Sequence, residues 1–358
     1  MRRCLRRGIT SPEGCQSVLP ALSVPRGSRS PFGRRLLVTA AAIAFLWIAT
    51  LTTADAGSLR RVTFLPQWFP QAQFAGHFVA MEKGFYRNHG IDPVLLRGGP
   101  GLSPEEALRK GKADFTTLFL AEGIRLRAGG VKLVLVAQVV QRSGVLLVAR
   151  KSSGIIKPSD FEGKKVSLWE HSRTQLLAFF RKHNVHPDIV RQTFTPNLFL
   201  RGGVDAASAM VYNEYHTLLN AGLNEEELSV FAMADHGLDF PEDGIWCREE
   251  LCVRSPENCR AFAVATLEGW RYAFENPEEA LDIVMKYVEE AKINSSRTHQ
   301  RWMLARMKDL IRPADLNRPP GRLDRGDYDR VARALADAGI IRAIPRYGDV
   351  HVQDPGQE

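Results

Sequence analysis

Residues 60–86 read RRVTFLPQWFPQAQFAGHFVAMEKGFY. Residues 62–65 are a short apolar run typical of a β-strand, and residues 66–70 follow as an aromatic turn bounded by two prolines. The apolar stripe that comes next predicts a helix that stops at Gly84. Because an aromatic turn offers a stacking surface and a helix start offers free N–H groups, this order of elements predicts a small-molecule site.

Short apolar strands alternate with helical segments along most of the chain. This alternation predicts an α/β fold in which helices flank parallel sheets. The predicted strands cover residues 62–65, 93–96, 115–118, 133–139, 145–149, 166–169, 192–195, 207–211 and 229–233. After Gly244 the pattern predicts helices only, over residues 257–275, 277–291, 297–310 and 327–338.

Two interruptions of this pattern predict a division into lobes. The first lies at residues 141–144, and the second is a polar segment at residues 235–241 that is bounded by Gly and Pro. If the chain crosses between lobes at both places, the crossings form a hinge and the lobes enclose a cleft that can close on a ligand. The expected organisation is a leader (1–56), a first lobe (57–146), an inserted second lobe (147–236), a helical completion of the first lobe (237–347) and a polar tail (348–358).

The net charge of +8 comes mostly from the first 56 residues, which hold eight arginines against Glu13 and Asp55. Outside them, 40 basic residues stand against 38 acidic ones, so no basic face remains and we expect no nucleic-acid partner. Within the leader, two arginines precede an uncharged run at residues 36–53, and residues 54–56 read Ala-Asp-Ala. These features predict a cleaved signal peptide and export to the periplasm, and the alternative is a retained membrane anchor.

The five cysteines divide between the leader and the folded part. Cys4 and Cys15 lie in the leader, which leaves Cys247, Cys252 and Cys259 as an odd set. Their spacing matches no zinc-ligand pattern, and the scattered histidines add none, so we expect no metal. Two alternatives stay open, a Cys252–Cys259 disulfide or three unpaired thiols.

Several motifs along the chain resemble one family of proteins. The motifs are QWFPQAQFAG (67–76), EKGFY (82–86), GID (90–92), GKADF (111–115), PSDFEGKKV (158–166), YNEY (212–215) and NPEEA (276–280). In this order they are similar to the substrate-binding proteins of bacterial ABC importers, in the branch that binds thiamine pyrimidine precursors. The resemblance implies the two-lobed periplasmic-binding-protein (type II) fold, a small heterocyclic ligand, an inner-membrane ABC permease as partner and a monomeric protein.

The same superfamily contains thiamine pyrimidine synthases, which consume their own His and use a Lys that holds pyridoxal phosphate. In those enzymes the two residues follow the Asp of the Gly-Lys-x-Asp segment by four and eight positions. Here these positions are Leu118 and Glu122, and neither can form a Schiff base or supply an imidazole. The resemblance therefore predicts a binding protein that is not an enzyme and uses no cofactor. A synthase-like enzyme and a sensory module of the same fold are the alternatives.

Local sequence and the resemblance together select a set of ligand-binding candidates. They are Trp68, Gln73, Thr117, Ser143, Trp169, Asn213 and Glu214. Tryptophans would stack on a flat ring, and the polar side chains would orient it through hydrogen bonds. Each candidate also has a structural alternative, such as core packing for the tryptophans, a turn for Ser143 and helix capping for Asn213. A thiamine pyrimidine precursor is the expected ligand, and riboflavin-like, sulfonate or other aromatic ligands stay open.

Overall fold

The computed structural model describes residues 59–99 and 101–352, and within them the chain forms ten strands in two five-stranded sheets. The predicted leader (1–56) and the end of the polar tail lie outside the described residues. The strands are β1 Arg60–Leu65, β2 Ile91–Leu95, β3 Phe115–Phe119, β4 Leu133–Gln138, β5 Val145–Arg150, β6 Lys165–Leu168, β7 Asp188–Arg191, β8 Ala206–Met210, β9 Leu228–Ala232 and β10 Asp243–Arg248.

The first sheet has the strand order β2-β1-β3-β10-β4, and the second has the order β7-β6-β8-β5-β9. The chain passes from the first sheet to the second between β4 and β5, and it returns between β9 and β10. Helices lie between the strands, so the predicted α/β class is confirmed. The limits assigned to the lobes from sequence stay predictions.

Neither sheet is fully parallel, contrary to the prediction. In the first sheet β10 runs antiparallel to β3 and β4, and in the second β5 runs antiparallel to β8 and β9. The physical reason is the route of the chain. The strands β5 and β10 each follow directly on a crossing and therefore enter their sheet from the edge at which its parallel strands end.

Two strand predictions were wrong in position. The strand expected at residues 192–195 lies at Asp188–Arg191, and the strand Asp243–Arg248 falls in a region where only helices were expected. The first has just two apolar residues between a terminal Asp and Arg, as suits an edge strand. The second begins with Asp and Gly, which are rare in strands. Its partners β3 and β4 lie far from it in the sequence.

The described α-helices fall into two groups. Those between strands are α1 Ala75–Glu82, α2 Phe85–Asn88, α3 Pro104–Arg109, α4 Leu120–Ala128, α5 Glu170–Lys182, α6 Asn197–Leu200 and α7 Glu214–Asn220. Those after β10 are α8 Glu249–Arg254, α9 Pro256–Glu275, α10 Pro277–Glu290, α11 Arg297–Ile311, α12 Arg325–Asp337 and α13 Tyr347–Val350.

The long helix α9 packs directly on α1, and two glycines allow this close contact. A Cβ on Gly269 would lie 2.0 Å from the backbone oxygen of Gly76, and a Cβ on Gly76 would overlap the Trp270 ring. Helix α12 packs against both α4 and α5. The C-terminal helices therefore hold α1 against the first sheet and also reach the inserted segment. None of the described helices has the length and apolarity needed to cross a membrane.

Candidate functional site

Two tryptophans from different sheets meet in this protein. Trp68 lies in the turn after β1 of the first sheet, and Trp169 directly follows β6 of the second. Their ring centroids are 4.9 Å apart at an interplanar angle of 84°, an edge-to-face contact. Such pairs contribute about 0.5–1.5 kcal/mol beyond their area burial. The sheets therefore touch through aromatic side chains at the ends of β1 and β6.

Three further rings extend this aromatic cluster. His171 stacks on Trp169 with centroids 4.5 Å apart, while Phe69 and Phe194 lie 5.2 and 5.9 Å from Trp68. Burial lowers the pKa of His171 to about 4, against a smaller opposing effect of the Glu122 charge, so the ring is neutral near pH 7. Phe194 keeps 60% of its surface exposed, which is unusual for so large an apolar side chain.

A cavity of about 710 Å³ opens beside this cluster. Trp68, Trp169, His171 and Phe194 form its aromatic part, and Glu122 lines it at the start of α4. The size falls within the range typical of small-molecule pockets. The Glu122 carboxylate accepts hydrogen bonds from the guanidinium of Arg125, another lining residue, so this charge is compensated within the wall.

A buried hydrogen-bond network adjoins Trp68. Asp243 at the start of β10 accepts hydrogen bonds from the side-chain amides of Gln67 and Gln73, the latter at 2.8 Å. The backbone N–H of Gln67 donates to Thr117 Oγ1 at 3.0 Å, and its side-chain oxygen lies 3.3 Å from His171 Nδ1. Gln67 therefore connects the aromatic cluster to Asp243.

Asp243 has no cation as partner within the described residues, and this changes its acidity. Burial raises its pKa from 3.8 to about 7, although the hydrogen bonds from Gln73 and Gln67 oppose the shift. The preceding Glu242 is also buried, and burial together with the Asp243 charge holds its pKa well above the usual range. Two adjacent carboxyl groups thus sit where the chain returns to the first sheet, in a setting that disfavours their ionisation.

These carboxyl groups connect the two crossings. Glu242 accepts a hydrogen bond from the backbone N–H of Gly144, which belongs to the other crossing. The backbone N–H of Ser143 donates to Asp239 Oδ1 at 2.9 Å, and Gln175 of α5 donates to Ser143 Oγ at 2.9 Å. The predicted candidate Ser143 therefore lies in a hydrogen-bonded hinge.

Asn213 and Glu214 lie at the start of α7, after β8. Glu214 accepts hydrogen bonds from the Met210 backbone N–H at 2.9 Å and from Asn213 Nδ2 at 2.8 Å, and burial raises its pKa. Asn213 Oδ1 accepts from His299 Nε2 of α11 at 2.8 Å. His299 in turn lies 2.9 Å from His216 between their Nδ1 atoms. This pair of candidates thus bridges the inserted segment and a C-terminal helix.

The structure therefore divides the seven candidates into separate groups. Trp68 and Trp169 line the cavity together. The other five lie outside the lining of that cavity. Gln73 and Thr117 belong to the buried network, and Ser143 belongs to the hinge. Asn213 and Glu214 lie at the α7–α11 contact. Their role in binding stays a prediction.

Sequence reasoning missed Gln67, His171, Glu242 and Asp243 as parts of this arrangement. Gln67 lies in the aromatic turn, where the neighbouring rings give the stronger signal of a binding site. His171 follows a strand by three residues, the same position relative to β6 that Trp68 has relative to β1. Nothing in the local sequence distinguishes Glu242 and Asp243 from turn residues after Pro241.

The three cysteines of the folded part come together behind β10. Cys252 and Cys259 form a disulfide, and the Cys247 sulfur lies 3.0 and 3.8 Å from their two sulfurs. All three are buried, and burial raises the pKa of the Cys247 thiol. The three sulfurs lie close enough to share a metal ion, but the disulfide leaves a single thiol available.

Residues 71–280 match the protein family described as NMT1/THI5 like, and the chain belongs to this family. The riboflavin-binding protein RibY of Chloroflexus aurantiacus is 25% identical over 252 residues, which cover 66% of this chain and 69% of RibY. A formylaminopyrimidine-binding protein of Halalkalibacterium halodurans is 25% identical over 263 residues, which cover 70% and 78%. Other relatives, at 20–22% identity, are named 4-amino-5-hydroxymethyl-2-methylpyrimidine phosphate synthases.

A solved structure shows the same architecture. The alkanesulfonate-binding protein SsuA from Xanthomonas axonopodis pv. citri superposes with a TM-score of 0.61 at 13% identity, over 82% of this chain and 98% of SsuA. At this identity the likeness shows the fold alone. The family membership and the periplasmic-binding-protein fold expected from the motifs are both confirmed.

Proposed function

We propose that this chain is the exported solute-binding protein of an ABC importer. It captures a small aromatic heterocycle by hinge closure and delivers it to an inner-membrane permease. The observation that carries the proposal is the contact of Trp68 with Trp169, because one indole follows a strand of the first sheet and the other follows a strand of the second. In this geometry a flat ring that enters between them would stack on one indole and meet the other edge-to-face, and each contact would contribute about 0.5–1.5 kcal/mol beyond area burial.

We propose a thiamine pyrimidine precursor as the ligand. Opening of the lobes would expose the network behind Trp68, where Gln73 and Asp243 offer an amide and a carboxyl group. An aminopyrimidine has N–H donors and ring-nitrogen acceptors that complement these groups. A carboxyl group with a raised pKa and no cationic partner suits a ligand that donates N–H bonds better than it suits an anion. The formylaminopyrimidine-binding relative supports the same ligand class.

The remaining candidates orient the ligand in this proposal. Glu214 would accept an amino or ring N–H once the α7 start moves with the inserted segment, and Asn213 would hold that carboxylate. Thr117 positions Gln67 through its hydroxyl, and Ser143 ties α5 to the hinge. Hinge closure then brings groups from both sheets onto one ring, which is how such folds gain selectivity from few side chains.

A riboflavin-like ligand is the second candidate. The cavity of about 710 Å³ exceeds what a single pyrimidine ring requires, and a flavin would extend into the space beside Phe194. The riboflavin-binding relative gives this alternative a basis in similarity. A flavin and a pyrimidine differ in size, so we expect them to bind one site with different affinities. A competition experiment would show which of them binds more tightly.

We also propose that the protein performs no synthase chemistry. Leu118 lies buried in β3 and Glu122 is paired with Arg125, so the positions corresponding to the synthase Lys and His hold groups that cannot replace them. A synthase-like protein would bind pyridoxal phosphate, which shows as an absorbance band that borohydride fixes to a lysine. Appearance of that band would contradict the proposal.

The test is a binding panel of pyrimidine precursors, riboflavin and sulfonates, followed by thermal shift and tryptophan fluorescence. We expect at least one heterocycle to raise the melting temperature of the protein and quench its tryptophan emission. Trp68→Phe or Trp169→Phe should weaken the binding of that heterocycle. Trp270→Phe is the matched control, because Trp270 packs on Phe274 outside the cavity lining and its indole N–H has no partner among the described residues. No response to any panel member would refute the proposal.

Export needs its own measurement. N-terminal sequencing of the mature protein is expected to begin near Gly57, after the Ala-Asp-Ala triplet. A mature chain that keeps residues 36–53 would instead favour a membrane-anchored sensory module of the same fold.

A further inference from the structure

A second cavity, of about 660 Å³, lies apart from the tryptophan cluster. Its walls come from α5 of the inserted segment, from Gly237 and Leu238 in the second crossing, and from α12 near the C-terminus. We call it the rear cavity. An occupant of this cavity would touch α5, the crossing and α12, because all three line it. Hinge motion would displace these parts of the chain relative to one another.

Cationic side chains dominate the lining. Four of them line the rear cavity against two carboxylates: Arg181, Lys182, Arg330 and Arg333 against Asp329 and Asp337. The remaining wall is apolar and consists of small residues and one leucine: Ala178, Ala334, Ala338 and Leu238. Such a surface fits a compact anion whose charges meet the guanidinium groups.

Two of the four cations have a carboxylate partner. Asp329 accepts a hydrogen bond at 3.0 Å from Arg325, which is not a lining residue, and forms an ion pair with Arg333 at 3.8 Å, while Arg330 pairs with Asp327. The guanidinium of Arg181, a lining residue, makes no hydrogen bond or ion pair with any residue that the structure describes. Lys182 donates to the backbone carbonyl of His236 and has no carboxylate partner among the described residues. Positive charge therefore stays uncompensated on α5.

Arg330 adds a donor that has no acceptor. Its Nη2 donates to the Asp239 carbonyl at 3.0 Å and to Asp327, which fixes the guanidinium between α12 and the crossing. Its Nε is buried and has no hydrogen-bond partner in the described chain.

The backbone at Gly237 also favours close approach. Gly237 has φ of 71°, and a Cβ built on it would lie 3.0 Å from Lys182 Nζ. A residue with a side chain would meet both a strained backbone and the ammonium group. Glycine thus keeps the ammonium against the crossing, at the edge of the cavity.

We propose that the rear cavity binds a compact polyanion carrying phosphoryl or carboxylate groups, held by Arg181, Arg333 and Lys182. Anion binding at this site does not require a ligand in the cleft, but the effector role described next rests on the hinge closure proposed above. Because its walls come from both sides of the hinge, an anion that fits the arrangement seen here stabilises this arrangement relative to an open one. The anion is therefore an effector of closure.

Inorganic pyrophosphate is the probe, with sodium chloride at equal ionic strength as the reference. We expect pyrophosphate to raise the melting temperature of the full chain, and the double variant Arg181→Ala/Arg333→Ala to bind it at least tenfold more weakly by calorimetry. Arg254→Ala is the matched control, because Arg254 is an exposed arginine at the end of α8 that makes no pair within the described residues. It should bind like the wild type.

Equal binding by the double variant and the wild type, or no shift beyond that of sodium chloride, would overturn the proposal. The coupling to closure has a separate readout in the emission of Trp68 and Trp169, which should change when pyrophosphate saturates the protein. Saturation without that change would overturn the effector role. A protein that fails to bind any heterocycle but binds pyrophosphate would refute the proposed function and leave this site standing.

Discussion

Replacement of Asp243 by Asn should change how stability depends on pH. Asp243 is buried, accepts from two glutamine amides and has no cationic partner in the described chain. Its pKa is 3.8 in a model peptide and about 7 in the folded protein, so the native state holds this proton more tightly than the unfolded state does. Asn has the same shape and can keep one acceptor, but it never ionises.

The sign follows from proton linkage. Between about pH 4 and about pH 7 the native state binds more protons than the unfolded state, so the free energy of unfolding falls as pH rises. One pKa unit corresponds to about 1.36 kcal/mol, so the full rise of the Asp243 pKa makes the protein about 4 kcal/mol less stable above pH 7 than below pH 4. Between about pH 5 and about pH 7.5 the expected loss is roughly 2–3 kcal/mol.

Urea unfolding followed by tryptophan fluorescence at several pH values measures this effect. The free energy of unfolding of the wild type should fall relative to that of Asp243→Asn as pH rises, and the two should approach each other near pH 4. Asp235→Asn is the control, because Asp235 is exposed in the same crossing. Curves of wild type and Asp243→Asn that run parallel from about pH 5 to about pH 7.5 would refute the argument that Asp243 is buried without a compensating charge.

Three further perturbations test other parts of the structure. Gly269→Ala should cost about 1–3 kcal/mol of unfolding free energy, because its Cβ would overlap α1, whereas Gly348→Ala, with open space around it, should cost little; equal effects would contradict the close packing. His299→Gln should reduce the free energy of unfolding that is lost as pH falls from about 6.5 towards about 4, since burial and His216 lower the pKa of His299 to about 4. The same loss in wild type and variant, measured by urea unfolding over this pH range, would contradict this. Cys259→Ser should lose about 2–3 kcal/mol more without reductant than with it, because the disulfide closes a short loop; an equal loss under both conditions would argue against the disulfide.

The sequence predicted those parts of the structure that local patterns determine. Strands such as β1 and β3 are apolar runs bounded by turn residues, and helices such as α10 begin at an Asn-Pro pair and carry an apolar stripe. The places of the two tryptophans were also predictable, because Trp169 directly follows β6 and Trp68 follows β1 by three residues. A large aromatic residue at the end of a sheet strand is placed where ligands bind in open α/β sheets.

The parts that the sequence did not predict depend on distant partners. Strand β10 gains its hydrogen bonds from β3 and β4, which lie more than 100 residues earlier, and Asp243 at its start reads locally as a turn residue. The raised pKa of Asp243 results from burial, which no neighbouring residue in the sequence indicates. Antiparallel strands escaped prediction for the same reason, since direction is set by where the chain crosses between sheets.

Gln67 links the aromatic turn to the buried carboxyl group of Asp243. Its backbone N–H bonds to Thr117 in β3, its amide nitrogen to Asp243 in β10, and its amide oxygen lies beside His171. Separation of Trp68 from Trp169 would pull His171 away from Gln67 and let water reach Asp243. Solvation would then lower the pKa of Asp243, because water stabilises the carboxylate. Opening should therefore release a proton and closure should take one up.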